Sequence, residues 1–322
     1  MSFKIRRAGH VVLRVGNVAK AKEFLEAVVG FTTYGKVGRD FYFLTSHPVS
    51  NHHMIAIRPG APGERRPEPD RQIGMVSIAY EMTDMEALSG LHQRISAAAS
   101  TYGWHVLATE DRGAIYNLVA DDADGNRYEF WCPAPGRSAA ASDALELRGP
   151  AELTMAAPPP PPAPPARMAI RRTSHLTLRC RDLAAARAFY ERALGLFAVA
   201  SDERGRVYLS GDPQTRRVVL ALEPARALNV PVPTPKTMLG MEHFSLEVGS
   251  FAELQEAYRQ FKSLGIPIDH TQHHGVTASV YFTDPDGNLM EFYQDVPRAE
   301  IPVPEDPFVS TGEIADRLEA SA

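Results

Sequence analysis

The chain states one pattern twice. His10-Val-Val-Leu-Arg is answered by His175-Leu-Thr-Leu-Arg, and both runs alternate as strands do. A helical stretch follows each, over 17–30 and 182–195. Asn17 or Asp182 opens it as a cap, and Gly30 or Gly195 closes it. In the second stretch Leu183, Ala186, Phe189, Tyr190, Ala193 and Leu194 share one helical face. Gly74-Met75 and Gly240-Met241 then lead into further strands. Capping-box starts at Thr83-x-x-Glu86 and Ser250-x-x-Glu253 predict two more helices. Asp124-Gly125-Asn126 and Asp286-Gly287-Asn288 are turns into a last strand carrying Glu129 or Glu291.

Each half therefore holds two units of strand, helix and several strands. A β-α-β-β-β unit cannot cover its own sheet face, so units must pair. The expected class is α+β: four β-α-β-β-β units paired into two domains with curved mixed sheets and helices outside. The expected boundaries are 5–135 for the first domain, 136–169 for a linker, 170–296 for the second domain and 297–322 for a tail. The linker contains AAPPPPPAPPA at Ala156–Ala166, an extended and fairly stiff polyproline run. Its rival reading is a ligand for a proline-recognition domain.

The net charge of −5 is spread over both signs along the chain, which predicts neither a nucleic-acid surface nor a membrane anchor. No apolar run has the length of a membrane span. MSFKIRRAGHVVLRV enters a strand directly, without the apolar core of a signal peptide. Cys132 and Cys180 lie in separate halves without metal-type spacing, and they predict reduced thiols in a cytoplasmic protein. There is no Gly-x-Ser-x-Gly, no phosphate-binding loop, no dinucleotide glycine run and no Cys-x-x-Cys.

The two copies differ at one chemical point. The second has His175, His243 and Glu291 on the strand positions that a concave sheet would aim inward. The first has His10, Ser77 and Glu129 at the matching places. Two imidazoles and a carboxylate with positions left over suit non-haem Fe(II), and Ser77 cannot replace an imidazole. The expected metal ligands are therefore His175, His243 and Glu291, in the second domain.

His273 to Glu291, HHGVTASVYFTDPDGNLME, is the sharpest motif. With the four-unit arrangement, it resembles the vicinal oxygen chelate superfamily, and within it the two-domain type I extradiol ring-cleavage dioxygenases. The resemblance covers roughly residues 5–135 and 170–296. It implies iron at His175, His243 and Glu291, with Mn(II) as the alternative ion, and a first domain that has lost its site. It implies that Tyr281 bonds a substrate hydroxyl and that His274 or its neighbour His273 lies near the substrate, His274 being favoured. The implied reactants are a catechol-type aromatic diol and dioxygen, in an enzyme that assembles as a homo-oligomer.

One departure stands out. The family usually carries a helper histidine in a run like Arg-His-His-x-Leu-Ala-Leu, held to act as acid-base partner. The matching segment of the second half is Arg216-Arg217-Val218-Val219-Leu220-Ala221-Leu222, without histidine. The first half has Asn51-His52-His53-Met54-Ile55-Ala56-Ile57, beside the expected vacant site. His52 and His53 are therefore read as wall or surface residues, and His274 or Arg217 as substitutes. The missing histidine keeps a second reading open, a metal-dependent isomerase, epimerase or lyase of the glyoxalase kind. A metal-free binding protein is a third, and the retained ligands argue against it.

Overall fold

The computed structural model describes residues 3–47, 53–134, 151–152, 169–225, 238–297, 300 and 312–320. The first unit runs β1 (Ile5–Val15), α1 (Val18–Phe24), a π-helical turn over Leu25–Val29, β2 (Thr32–Val37), β3 (Phe41–Thr45) and β4 (Ile55–Pro59). The second is β5 (Gly74–Met82), α2 (Met85–Tyr102), β6 (His105–Asp111), β7 (Ile115–Asp121) and β8 (Arg127–Pro133). A two-residue strand, β9 (Ala151–Glu152), pairs with β6 inside the expected linker. The polyproline run lies outside the described residues. The third unit is β10 (Ile170–Cys180), α3 (Leu183–Leu194), β11 (Phe197–Ser201), β12 (Val207–Ser210) and β13 (Val218–Pro224). The fourth is β14 (Gly240–Val248), α4 (Phe251–Ser263), β15 (Ile268–His273), β16 (Thr277–Thr283) and β17 (Leu289–Asp295). In the tail, α5 (Ala315–Glu319) packs on α4, where the Gln255 amide donates to the Arg317 carbonyl at 2.7 Å.

Local chemistry explains the punctuation. Asn17, Asp182 and Ser250 accept the backbone N–H of Lys20, Ala185 and Glu253, each cap contributing about 1 kcal/mol. Helix α2 is capped by Asp84 at 2.9 Å rather than by Thr83. In the final turns, Asp122 Oδ1 accepts from the N–H of Asp124 and Asn126, and Asp284 Oδ1 accepts from Asp286 and Asn288. Gly125 and Gly287 follow at φ +92 and +87, a left-handed backbone that glycine adopts without strain. Each turn therefore delivers its glutamate, Glu129 or Glu291, at the same point of the last strand.

The expected class holds: four units pair into two curved mixed sheets. The expected partners do not. One sheet has the order β15-β16-β17-β14-β1-β4-β3-β2, the other β11-β12-β13-β10-β5-β8-β7-β6-β9. The first unit is thus joined to the fourth, through antiparallel β1 and β14, with Val12 opposite His243. The second is joined to the third through β5 and β10, with Ser77 opposite Thr177. The halves 5–135 and 170–296 are not separate sheets; each contributes one unit to both. Val11, Leu13 and Val15 of β1 share one apolar core with Leu176, Leu178 and Cys180 of β10. That burial leaves His10 and Val12 on the opposite face of β1, and His175 and Thr177 on that of β10.

The seams show why either pairing is chemically satisfied. Glu247 on β14 takes the Arg6 and Arg7 guanidiniums of β1, and Glu81 on β5 takes those of Arg171 and Arg172 on β10. The same two arginines meet the same glutamate in both sheets, so these ion pairs cannot select between partners. Within the β1–β14 seam, the His10 N–H donates to Ser245 Oγ at 2.6 Å, and that hydroxyl donates back to the His10 carbonyl at 3.1 Å. The equivalent place on β5 is Ala79, which has no hydroxyl to offer.

Candidate metal centre

Strands β1, β14 and β17 bring His10, His243 and Glu291 together. Their ligand atoms all lie within 4.8 Å of one another, and all three residues are buried. His10 Nε2 stands 2.9 Å from Glu291 Oε2, and His243 Nε2 stands 3.4 Å from the same oxygen. Oε2 is buried and meets no hydrogen-bond donor in bonding geometry among the described residues. Three lone-pair donors aimed at one point, one of them an orphaned carboxylate oxygen, fit a divalent cation.

The electrostatics keep the donors in ligand form. Burial pushes the His10 imidazole down, toward the neutral form that a metal ligand needs, and the Glu291 carboxylate opposes it. Burial alone would push Glu291 up. The His10 and His243 imidazoles more than offset this and hold it well below the usual carboxylate range.

The surrounding groups converge on Glu291. Tyr281, opposite Glu291 on β16, donates its hydroxyl to Glu291 Oε1 at 3.0 Å. His274 Nε2 lies 3.0 Å from the same hydroxyl, and burial pushes its imidazole down to about 4. His53 packs its ring on His10 with centroids 4.0 Å apart, and Phe43 meets His53 edge-on. A cavity of about 310 Å³ opens in front of these groups, walled by Val12, Phe41, Phe43, Val276 and Leu289. At its edge the Arg58 guanidinium bonds Glu242 at 3.2 Å and lies over the Phe41 ring.

Of the expected site residues, His243, Glu291, Tyr281 and His274 are together, and His175 and His273 are elsewhere. His273 does not line the cavity. It ends β15, its Nδ1 accepts the Gly275 N–H at 3.1 Å and its backbone bridges to Gly312, so its ring caps the turn that carries His274. His175 lies in the other sheet because β10 pairs with β5, not with β14. His52 falls outside the described residues. Arg217 precedes β13, and Val218 packs with Tyr208 and Trp131 in that second sheet. The expected ligand set did not include His10, which lies with His243 and Glu291, and the expected site did not include His53, which packs on His10. The signal was the His52-His53 pair, whose place in the first unit puts it beside His10.

The second sheet repeats the geometry with other chemistry. Glu129 accepts from Ser77 Oγ at 2.6 Å and from Asn117 Nδ2 at 3.1 Å, and Arg206 stands 3.9 Å away. Burial would push Glu129 up. The Arg112 and Arg206 guanidiniums, with His175 and the Ser77 hydroxyl, pull it down to about 2. Glu223 holds Arg206, and Glu110 holds Arg112. Fixed guanidinium charge stands here where the first sheet gathers ligand atoms around a gap.

No helix among the described residues is long and apolar enough to cross a membrane. The chain is 32% identical over 124 residues to biphenyl-2,3-diol 1,2-dioxygenase 3 of Rhodococcus globerulus, covering 38% of this chain and 63% of that protein. It is 32% identical over 123 residues to catechol-2,3-dioxygenase of Bacillus subtilis strain 168, covering 38% of this chain and 41% of that one. The matches thus span less than two thirds of these relatives. Among solved structures, one from Bacillus subtilis aligns with a TM-score of 0.64 at 18% identity, covering 91% of this chain and 86% of the other. Glyoxalase I from Zea mays aligns with a TM-score of 0.58 at 18% identity, covering 89% and 92%. Both likenesses concern the fold. The pattern of the Glyoxalase/Bleomycin resistance protein/Dioxygenase superfamily matches residues 7–130 and 172–292, and the chain belongs to that superfamily.

Proposed function

We propose that the protein is an Fe(II)-dependent extradiol dioxygenase that opens the ring of a catechol-type diol with dioxygen. The observation that carries this reading is the open His10–His243–Glu291 triad at the floor of an apolar cavity, with Tyr281, His274 and His53 around it. The dioxygenase names of the relatives at 32% identity support it.

His10, His243 and Glu291 would hold the ion; Mn(II) accepts the same ligand set. When bound, the metal supplies the Lewis-acid and one-electron chemistry that couples an aromatic diol to dioxygen. The protein supplies the rest. Val12, Phe43 and Val276 exclude water and hold a flat ring. The Tyr281 hydroxyl, fixed by Glu291 and His274, orients a substrate oxygen. His53, which lines the cavity and stacks on His10, is the imidazole assigned to move a proton. With His53 in the cavity, the helper histidine that the second half lacks comes from the first unit, and Arg217 is not needed as a substitute.

Metal analysis after anaerobic Fe(II) reconstitution, followed by oxygen uptake on a panel of catechols, tests the reading. One equivalent of iron and catechol-dependent oxygen consumption with a ring-opened product are expected. Turnover with Ni(II) or Zn(II) and no oxygen uptake would replace the reading with isomerase or lyase chemistry.

A further inference from the structure

Tyr281 is held from one side by hydrogen bonds and from the other by a ring that the motif does not contain. The His270 imidazole lies flat on the Tyr281 phenol, with centroids 4.1 Å apart and planes 9° from parallel. His270 Nδ1 is 2.7 Å from Asp269 Oδ2, which fixes the imidazole about its own axis. The stack depends on a backbone irregularity. Strand β15 shifts register against β16 between Ile268 and His270, and the shift sets His270 directly opposite Tyr281. A bulge of this kind re-aims a side chain.

The other sheet supplies an internal control. Strand β6 makes the same register shift between Val106 and Ala108, setting Ala108 opposite Val119. Val119 stands opposite Glu129 as Tyr281 stands opposite Glu291. The backbone device is therefore present in both sheets, and the ring pair is present where the ligand triad is. Were the bulge only a feature of sheet curvature, Ala108 and Val119 show that it needs no aromatic pair.

We propose that His270 is a positioning residue for Tyr281, resting on the reading of Tyr281 as the group that fixes Glu291 and orients substrate. A phenol whose face is free swings about its Cα–Cβ bond. Stacked on His270, its hydroxyl stays between Glu291 Oε1 and His274 Nε2, each 3.0 Å away. Groups that bond a metal ligand tune metal affinity, so the effect of His270 reaches the metal through Tyr281 and Glu291.

The test is a double-mutant cycle on the full chain, read first by Co(II) titration of the apoprotein and then by turnover of catechol with Fe(II). His270→Ala is expected to weaken Co(II) about 5-fold and to lower kcat about 10-fold. His270→Phe, which stacks but cannot bond Asp269, is expected to restore both to within about 2-fold. In a Tyr281→Phe background, His270→Ala is expected to change neither. Equal damage from His270→Phe and His270→Ala would overturn the proposal, as would effects additive with Tyr281→Phe or a silent His270→Ala. Coupling in the Co(II) titration with no catechol turnover by wild type would uphold the positioning role and defeat the dioxygenase reading. Failure of wild type to bind Co(II) would defeat both.

Discussion

His10 Nε2 and Glu291 Oε2 lie 2.9 Å apart, joining the first strand of the chain to the last strand of its second sheet-forming half. Both atoms belong to the candidate metal site, and His175 lies outside it in the other sheet. His10→Ala is expected to lower Fe(II) affinity at least 100-fold, more than the loss of an outer-sphere contact costs. His175→Ala should keep one equivalent of iron. Iron content after reconstitution and desalting separates the two; retention by His10→Ala would end the assignment.

His53 stacks on His10 without ligating in the triad, so its removal should spare the metal and hurt turnover. His53→Phe keeps a ring of similar size against Phe43. It should retain iron while lowering kcat about 100-fold or more, the range of a lost proton-transfer group. Unchanged kcat with full iron occupancy would make His53 a wall residue.

The Glu129 cluster sets an acid limit on stability. The folded protein holds Glu129 at about 2, below its ordinary 4.5, so this group stabilises the fold above 4.5 and loses that contribution as pH falls toward 2. Burial holds His175 at about 4, below its ordinary 6.5. The unfolded chain therefore takes up that proton first, and stability falls between pH 6.5 and 4. Urea midpoints should decline from pH 6.5 downward. Glu129→Gln should flatten the decline below pH 4.5, and His175→Gln the part above pH 4. Parallel curves for all three proteins would show that the cluster does not govern acid unfolding.

A chain divided in the 153–168 segment should remain one particle. The fragment before the cut holds β1 and β5, and the fragment after it holds their partners β14 and β10. Co-expressed fragments should copurify through a tag on one of them and bind iron, and His10→Ala in the first fragment should abolish that binding. Separate elution would be incompatible with the two crossed sheets.

The units, their caps, their last turns and the Glu291 strand were legible because each is written locally, in Asn17, Asp182, Ser250 and the Asp-x-Asp-Gly-Asn turns. The partnership of the units was not. Arg6-Arg7 and Arg171-Arg172 are interchangeable toward Glu81 and Glu247, so either pairing satisfies the seams. The ligand inventory is equally silent. Joining the third unit to the fourth gives His175, His243 and Glu291, and joining the first to the fourth gives His10, His243 and Glu291. Either way one triad is complete and the other contains Ser77. The discriminating residues lay outside the triad: His53 near His10, and Arg112 and Arg206 near Glu129 in the second and third units. The departure from the family's histidine run was therefore a statement about which strands are neighbours.

Because β1 waits for β14 and β17, a ribosome making this chain releases the first ligand long before the other two exist. Three of the four units must be finished before β1 finds its partner, and contacts so distant in sequence form slowly. Until then the paired edge of β1 is open, a strand edge that invites wrong partners. The nearest wrong partner is β5, whose Glu81 would accept Arg6 and Arg7 as Glu247 does. A nascent chain caught in that pairing holds only His10, Ser77 and Glu129, so no metal site fixes the wrong partnership before the fourth unit is made.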